Sequence, residues 1–285
     1  MKLTEKKDLL VNAVSTMKSV EAIGQTGNMT EIPVPGQGDF DLFVLCGVIP
    51  DYEERQSCYA GQRQLYTECN MEVCREDVHW GTGDILLVDG VETMFMYFTV
   101  DSMKEYLETV ASGQRLEPEG EFYPLGRLAT MRSIHILYDR NGIMKEMQEN
   151  LKEYPGQLRQ KIIKNHFPAI WDGESIDRAI LRGDVIFNHR VFQASLDHYM
   201  QTLYALNRTY FPSWKRAEQY IASFRIKPEN CYERIRKAIK LSAEPETIEA
   251  CYEVWRKLVE ELEKLVGENF VIEDCLLYTS DAADE

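Results

Sequence analysis

The sequence predicts an α+β front half built on a small mixed sheet, followed by an all-helical C-terminal domain. Three observations carry that reading. The run DFDLFVLCGV (39–48) is apolar on both faces beyond its two acids, as a central strand requires. Two β-rich runs flank Asp89-Gly90 within GDILLVDGVETMFMYFTV (83–100), and Asp-Gly is a dipeptide that favours a tight hairpin turn. From residue 143 onward every apolar pattern has helical period and no strand signal returns.

Taken in order, residues 1–20 predict an amphipathic helix from the spacing of Leu9, Leu10, Ala13, Val14 and Met17. A short strand over 20–23 follows, then a glycine loop from Gly24 to Gly27, and then the strand from Asp39 to Val48. Residues 50–78 are polar and irregular in period, and no element is assigned there. SMKEYLETVASG (102–113) predicts a helix ending on glycine, and a proline- and glycine-bearing loop leads to a last strand at SIHILYD (133–139). His135 in that strand is read as structural. Helices then follow at 143–154, 155–167, a long stretch from Ile176 to Leu206, KRAEQYIASF, and a final segment. In that segment Ile248, Tyr252, Trp255, Val259 and Leu262 form one stripe. The expected domains are 1–145 and 146–274. The last eleven residues, CLLYTSDAADE (275–285), look like the translated read-through of a sequencing adapter and are excluded from fold reasoning.

The chain has 285 residues and a formal net charge of −15. That balance argues against broad binding to a nucleic-acid backbone, which needs a basic face. No apolar stretch approaches the roughly 20 residues of a membrane helix, and the N-terminus lacks the features of a signal peptide, so a cytoplasmic protein is expected. Seven cysteines fit free thiols in that setting. Cys58, Cys69, Cys74 and His79 are close in sequence, but no CxxC pair occurs and their spacing matches no common zinc module.

Asp39 and Asp41 are the residues that point to chemistry. Alternate side chains on a strand share a face, so these carboxylates lie together at the mouth of an apolar run. Like charges so placed repel unless a cation sits between them or one is protonated. Glu92 opens the outer strand of the Asp-Gly hairpin, also beside an apolar run. Carboxylates gathered at one sheet edge suit Mg²⁺, a hard cation that takes oxygen ligands and keeps part of its shell for water or phosphate. The backbone N–H groups of a glycine loop after a strand can cradle phosphates.

The order Gly24…Asp39-Phe40-Asp41, continued by Leu42-Phe43-Val44, resembles the signature of the nucleotidyltransferase fold. The chain is similar to bacterial proteins with a DUF4037-type domain over nearly its whole length up to about residue 270. In layout it is similar to the streptomycin and spectinomycin (aminoglycoside) adenylyltransferases. The resemblance implies an α/β-type nucleotidyltransferase domain using one or two Mg²⁺ ions and ATP or another NTP. It implies that Asp39 and Asp41 hold Mg²⁺ and that Gly24, Gln25, Thr26 and Gly27 contact the triphosphate. Glu92 serves as general base or third metal ligand, and Lys215, in NRTYFPSWKR, reaches the phosphates. Asp184, Asn188 and His189 are candidate substrate contacts, with helix capping by Asp184 as the alternative. Two departures stand out: Gln25 replaces the usual Ser or Gly, and Thr93 and Met94 stand where many members carry a third aspartate. The implied activity is transfer of a nucleoside monophosphate, AMP by preference, to a small-molecule hydroxyl with release of pyrophosphate. The alternatives are a nucleotide-binding or interaction module without transfer, and an enzyme that nucleotidylates a partner protein.

Overall fold

The computed structural model describes residues 1–270 apart from 28, 30, 78 and 121, so the expectation for 275–285 lies outside the described residues. The chain divides into two compact units, Met1–Glu153 and Tyr154–Glu285.

The first unit opens with α1 (Leu3–Ser15), which buries Leu10, Val11 and Val14. Strands β1 (Val20–Thr26) and β2 (Phe40–Cys46) follow, then α2 (Tyr52–Ala60), capped where the Asp51 side chain accepts from the Glu54 N–H at 2.8 Å. Strands β3 (Glu68–Asp77), β4 (Gly81–Val88) and β5 (Val91–Thr99) come next. Helix α3 (Val100–Ala111), helix α4 (Pro124–Ser133), strand β6 (His135–Asp139) and helix α5 (Ile143–Asn150) complete the unit. The six strands form one sheet in the order β3-β4-β5-β2-β1-β6. Only β2 and β5 run parallel; the other neighbours are antiparallel.

Both faces of the sheet are covered, which is why β2 reads as a continuous apolar run. Leu42, Val44, Phe95 and Tyr97 pack with Leu10 and Val14 of α1 and Tyr59 of α2. On the opposite face Phe43 stacks on Phe98 at 5.5 Å, and Arg127 of α4 lies over both rings. At the β4–β5 turn Asp89 and Gly90 have φ of 49° and 80°, the left-handed conformations that an Asp-Gly hairpin supplies.

Three differences from the sequence reading have physical causes. The unassigned residues 50–78 contain α2 and β3. Strand β3 hides its period because its register shifts twice against β4 and because Glu72 and Glu76 take positive φ. Helix α4 replaces part of an expected loop; Pro124 occupies its first turn, where a missing N–H costs nothing. The expected loop from Gly24 is strand, since β1 continues to Thr26 in register with β2. Gly24 is closely packed: a Cβ there would lie 2.6 Å from Ile134 Cδ1 and 2.7 Å from Met144 Sδ, so those side chains would have to shift. The α+β reading otherwise holds, with a mixed sheet followed by a helical region.

The second unit comprises α6 (Gly156–His166), α7 (Gly173–Arg182), α8 (Val185–Leu206), α9 (Ala217–Ser223), α10 (Cys231–Leu241) and α11 (Ile248–Asn269). The single long stretch expected from Ile176 to Leu206 is two helices. Gly183 at φ 58° ends α7 and Asp184 caps α8. Trp255 of α11 is fully buried, donates its indole N–H to Ser195 Oγ at 2.7 Å, and packs on Phe192 and Tyr199 of α8. Among the described residues no helix is long and apolar enough to cross a membrane.

Candidate functional site

The register of the parallel pair decides which acids share a surface. Phe40 stands beside Thr93 and Asp41 beside Met94, so Asp41 and Met94 lie on the face of Phe43, Met96 and Phe98. The ladder ends at Phe40 and Thr93; Glu92, one residue before Thr93 on β5, alternates onto the face of Met94, and Asp39 immediately precedes β2. On the other flank Thr26 of β1 is the partner of Asp41. The amino-terminal ends of β2 and β5 therefore gather Asp39, Asp41, Glu92 and Thr26. Asp39 and Glu92 are exposed and Asp41 is half-buried.

The grouping is an open one. Among the described residues no three His, Cys, Asp or Glu side chains converge closely enough to hold a metal ion. The two aspartates fit Mg²⁺ by donor chemistry, as hard oxygens on one strand face, but Glu92 does not close on them as a third ligand. The same observation disposes of the cysteines. Cys58, Cys69 and Cys74 are free thiols, each pushed up by burial, and make no metal group with His79.

The expected phosphate contacts separate. Gly24 and Thr26 fall on the acid face, and Gly27 turns the chain at φ 97° with open space around it. Gln25 points the other way: it is buried and its Oε1 accepts from Lys7 Nζ at 3.0 Å, beneath the sheet. That bond holds the Gln25 side chain away from the acid face. Lys215 lies in the second unit, exposed, two residues before α9, with its backbone N–H donating to Ser213 Oγ at 3.2 Å.

The three expected substrate contacts also separate. Asp184 caps α8, accepting from Ile186 and Phe187 N–H groups at 3.0 and 3.1 Å. Asn188 is fully buried and its Nδ2 donates to the Ser242 carbonyl at 2.9 Å, which ties α8 to the end of α10; among the described residues its Oδ1 has no hydrogen-bond partner. His189 is exposed on α8.

Asp84 was missed, although it satisfies the argument that selected Asp39 and Asp41: an acid at the mouth of an apolar run, DILLV. It is wholly buried and accepts from Arg55 Nε at 2.8 Å, the Tyr59 hydroxyl at 3.0 Å and the Glu72 N–H at 2.9 Å. The Tyr59 and Tyr97 hydroxyls are 2.6 Å apart, and Arg55 also donates to the Pro50 carbonyl and to Glu72. Burial, with the negative charge of Asp84 close by, holds both phenols protonated. A fully enclosed network of this kind fixes α2 and β3 to the sheet.

Also unseen in the sequence is a cavity of about 480 Å³ at the carboxyl end of β5. Its walls include Tyr97, Phe98, Tyr106 and Arg127, and none of Asp39, Asp41 or Glu92. The acid pair and the cavity are at opposite ends of the same two strands.

The family described as a domain of unknown function, DUF4037, matches residues 123–216. That span runs from the start of α4 to the residue before α9, so the likeness is narrower than the near-complete coverage expected from the sequence. Comparison with curated proteins finds no match. Among solved structures, a nucleotidyltransferase-like protein from Exiguobacterium sibiricum is similar, with a TM-score of 0.35 and 12% identity. The alignment covers 94% of this chain and 75% of that one. At that level the likeness bears on no residue's chemistry, and the functional reading rests on the strand register.

Proposed function

We propose that the first unit carries a nucleotidyl-transfer site at the amino-terminal ends of β2 and β5. The observation that supports it is the register that puts Asp41 beside Met94 on one sheet face, with Thr26 across from Asp41 and with Asp39 and Glu92 just beyond the last pair of the ladder. Asp39 and Asp41 are the residues to hold Mg²⁺. When bound, that ion neutralises charge on the phosphates and on the attacking oxygen. Thr26 and the N–H groups at the Gly27 turn offer donors to phosphate oxygens. Glu92, exposed and one strand over, accepts the proton of the acceptor hydroxyl. The hydroxyl oxygen forms a bond to the α-phosphorus of an NTP, ATP by preference, as the bond to pyrophosphate breaks.

The test is thermal stabilisation of the full chain by each NTP, with and without Mg²⁺, beside Asp41→Asn. A ligand at a hundred times its dissociation constant adds about 2.7 kcal/mol. The expected result is a Mg²⁺-dependent shift with one nucleotide that disappears in the variant, followed by pyrophosphate release once an acceptor is found. An unchanged shift in Asp39→Asn and Asp41→Asn would sink the reading. A second reading, nucleotide binding without transfer, is favoured by the lack of a third converging carboxylate among the described residues. It gives the same shift and no pyrophosphate with any acceptor.

A further inference from the structure

The cavity at the carboxyl end of β5 has no place in the transfer site, yet its composition is unusual. Arg127 is 4% exposed in its wall. Its Nη2 donates to the His79 carbonyl, and its guanidinium lies 4.7 Å from the Phe43 ring, 5.0 Å from Phe98 and 5.5 Å from Phe122. Among the described residues it takes part in no ion pair, although Asp77 is near enough to favour its charge. Asp77 is itself held by the His79 and Trp80 N–H groups. A buried cation without a bonded anion is costly, and burial draws the Arg127 pKa down to about 10.

Tyr106, one turn further along α3, adds a second group. It is 9% exposed, and among the described residues its buried hydroxyl has no hydrogen-bond partner. The Arg115 guanidinium lies over its ring at 4.8 Å, and Arg115 is already engaged by Glu119. This phenol and this guanidinium, neither with a bonded anion among the described residues, belong to one cavity of a size that suits a small organic ligand. Crevices outside the carboxyl ends of parallel strands are favoured places for such ligands.

The charge pattern narrows the ligand. Three acids, Glu76, Asp77 and Glu105, stand among the lining residues with two cations, Arg115 and Arg127, a balance that repels a polyanion such as a triphosphate. Phe98 and Met103 offer apolar walls to a flat body. We propose that this cavity binds a small organic monoanion, a carboxylic acid on an aromatic body, with its carboxylate held by Arg127 and the Tyr106 hydroxyl. A planar guanidinium and a phenol O–H are complementary donors to one carboxylate.

The experiment is isothermal titration of the full chain with benzoate, 3-phenylpropionate and 2-naphthoate, each beside its primary amide, at up to about 5 mM. At least one acid is expected to bind, with its amide weaker by at least about tenfold. Arg127→Met is expected to remove that preference. Tyr106→Phe, which keeps the ring and deletes only the hydroxyl, is expected to weaken the acid several-fold and leave the amide unmoved. No binding by any acid, equal binding of acid and amide, or an acid affinity untouched by Tyr106→Phe would overturn the proposal. The Tyr106 variant keeps the test decisive even if Arg127→Met fails to fold.

Discussion

Asp84 supports more of the first unit than any residue singled out from the sequence. Its two oxygens accept from a helix side chain, a tyrosine and the backbone of β3, so one carboxylate joins three elements. Removing a buried acceptor leaves its donors unsatisfied at about 1–3 kcal/mol each, and here Tyr59 and the Glu72 N–H lose theirs while Arg55 keeps Glu72 and the Pro50 carbonyl. Asp84→Ala should therefore lower the stability of the first unit by that order, measured by urea unfolding. Tyr97→Phe, which removes one hydroxyl from the end of the chain of bonds, should cost about 1 kcal/mol. Equal losses in the two variants would show that Asp84 acts through packing alone. An acid at the start of an apolar run was legible in the sequence, but not its partners: Arg55 and Tyr59 lie in a segment with no readable period. The same limit hid Arg127, a lone cation between leucines whose burial depends on rings contributed by β2 and β5.

Elements with regular chemistry were the legible ones. The Asp-Gly turn, the apolar run of β2 and the stripe of α11 each follow from local rules, although Leu258 is buried in α11 where Val259 is only partly so. Strand β3 and helix α4 were not legible, because register shifts and tertiary burial set them. Between α6 and α8 one contact makes a measurable difference. His166 and His198 meet Nδ1 to Nδ1 at 2.9 Å, one ring donating and the other accepting. Burial and the neighbouring imidazole hold His166 down to about 4, against 6.5 for the free side chain. The unfolded chain therefore binds more protons between those values, so the contribution is full above the unfolded pKa and fades as pH falls from 6.5 toward about 4. It amounts to at most about 3 kcal/mol. His166→Gln should flatten the fall in urea midpoint between about pH 7 and about pH 4.5, and an unchanged slope would exclude this pair as its source.

At the scale of the whole molecule, each unit carries its own core. The first has a six-stranded sheet covered on both faces, and the second has α8 and α11 packed around Trp255. Residues 1–153 expressed alone should thus unfold cooperatively on heating and keep near-ultraviolet signals from their buried tyrosines; a fragment that melts without a transition would refute independent folding. One of the two edge strands, β3, has a further consequence. A sheet margin with free N–H and C=O groups invites strands from other molecules to add on, which is a common route to aggregation. Here the margin is broken twice by register shifts, bent at Glu72 and Glu76, and set with charge from Glu68 to Asp77. The bend at Glu72 is pinned from inside by Asp84. The residue that joins α2 and β3 to the sheet thus also keeps the β3 edge too irregular for a neighbouring chain to zip onto.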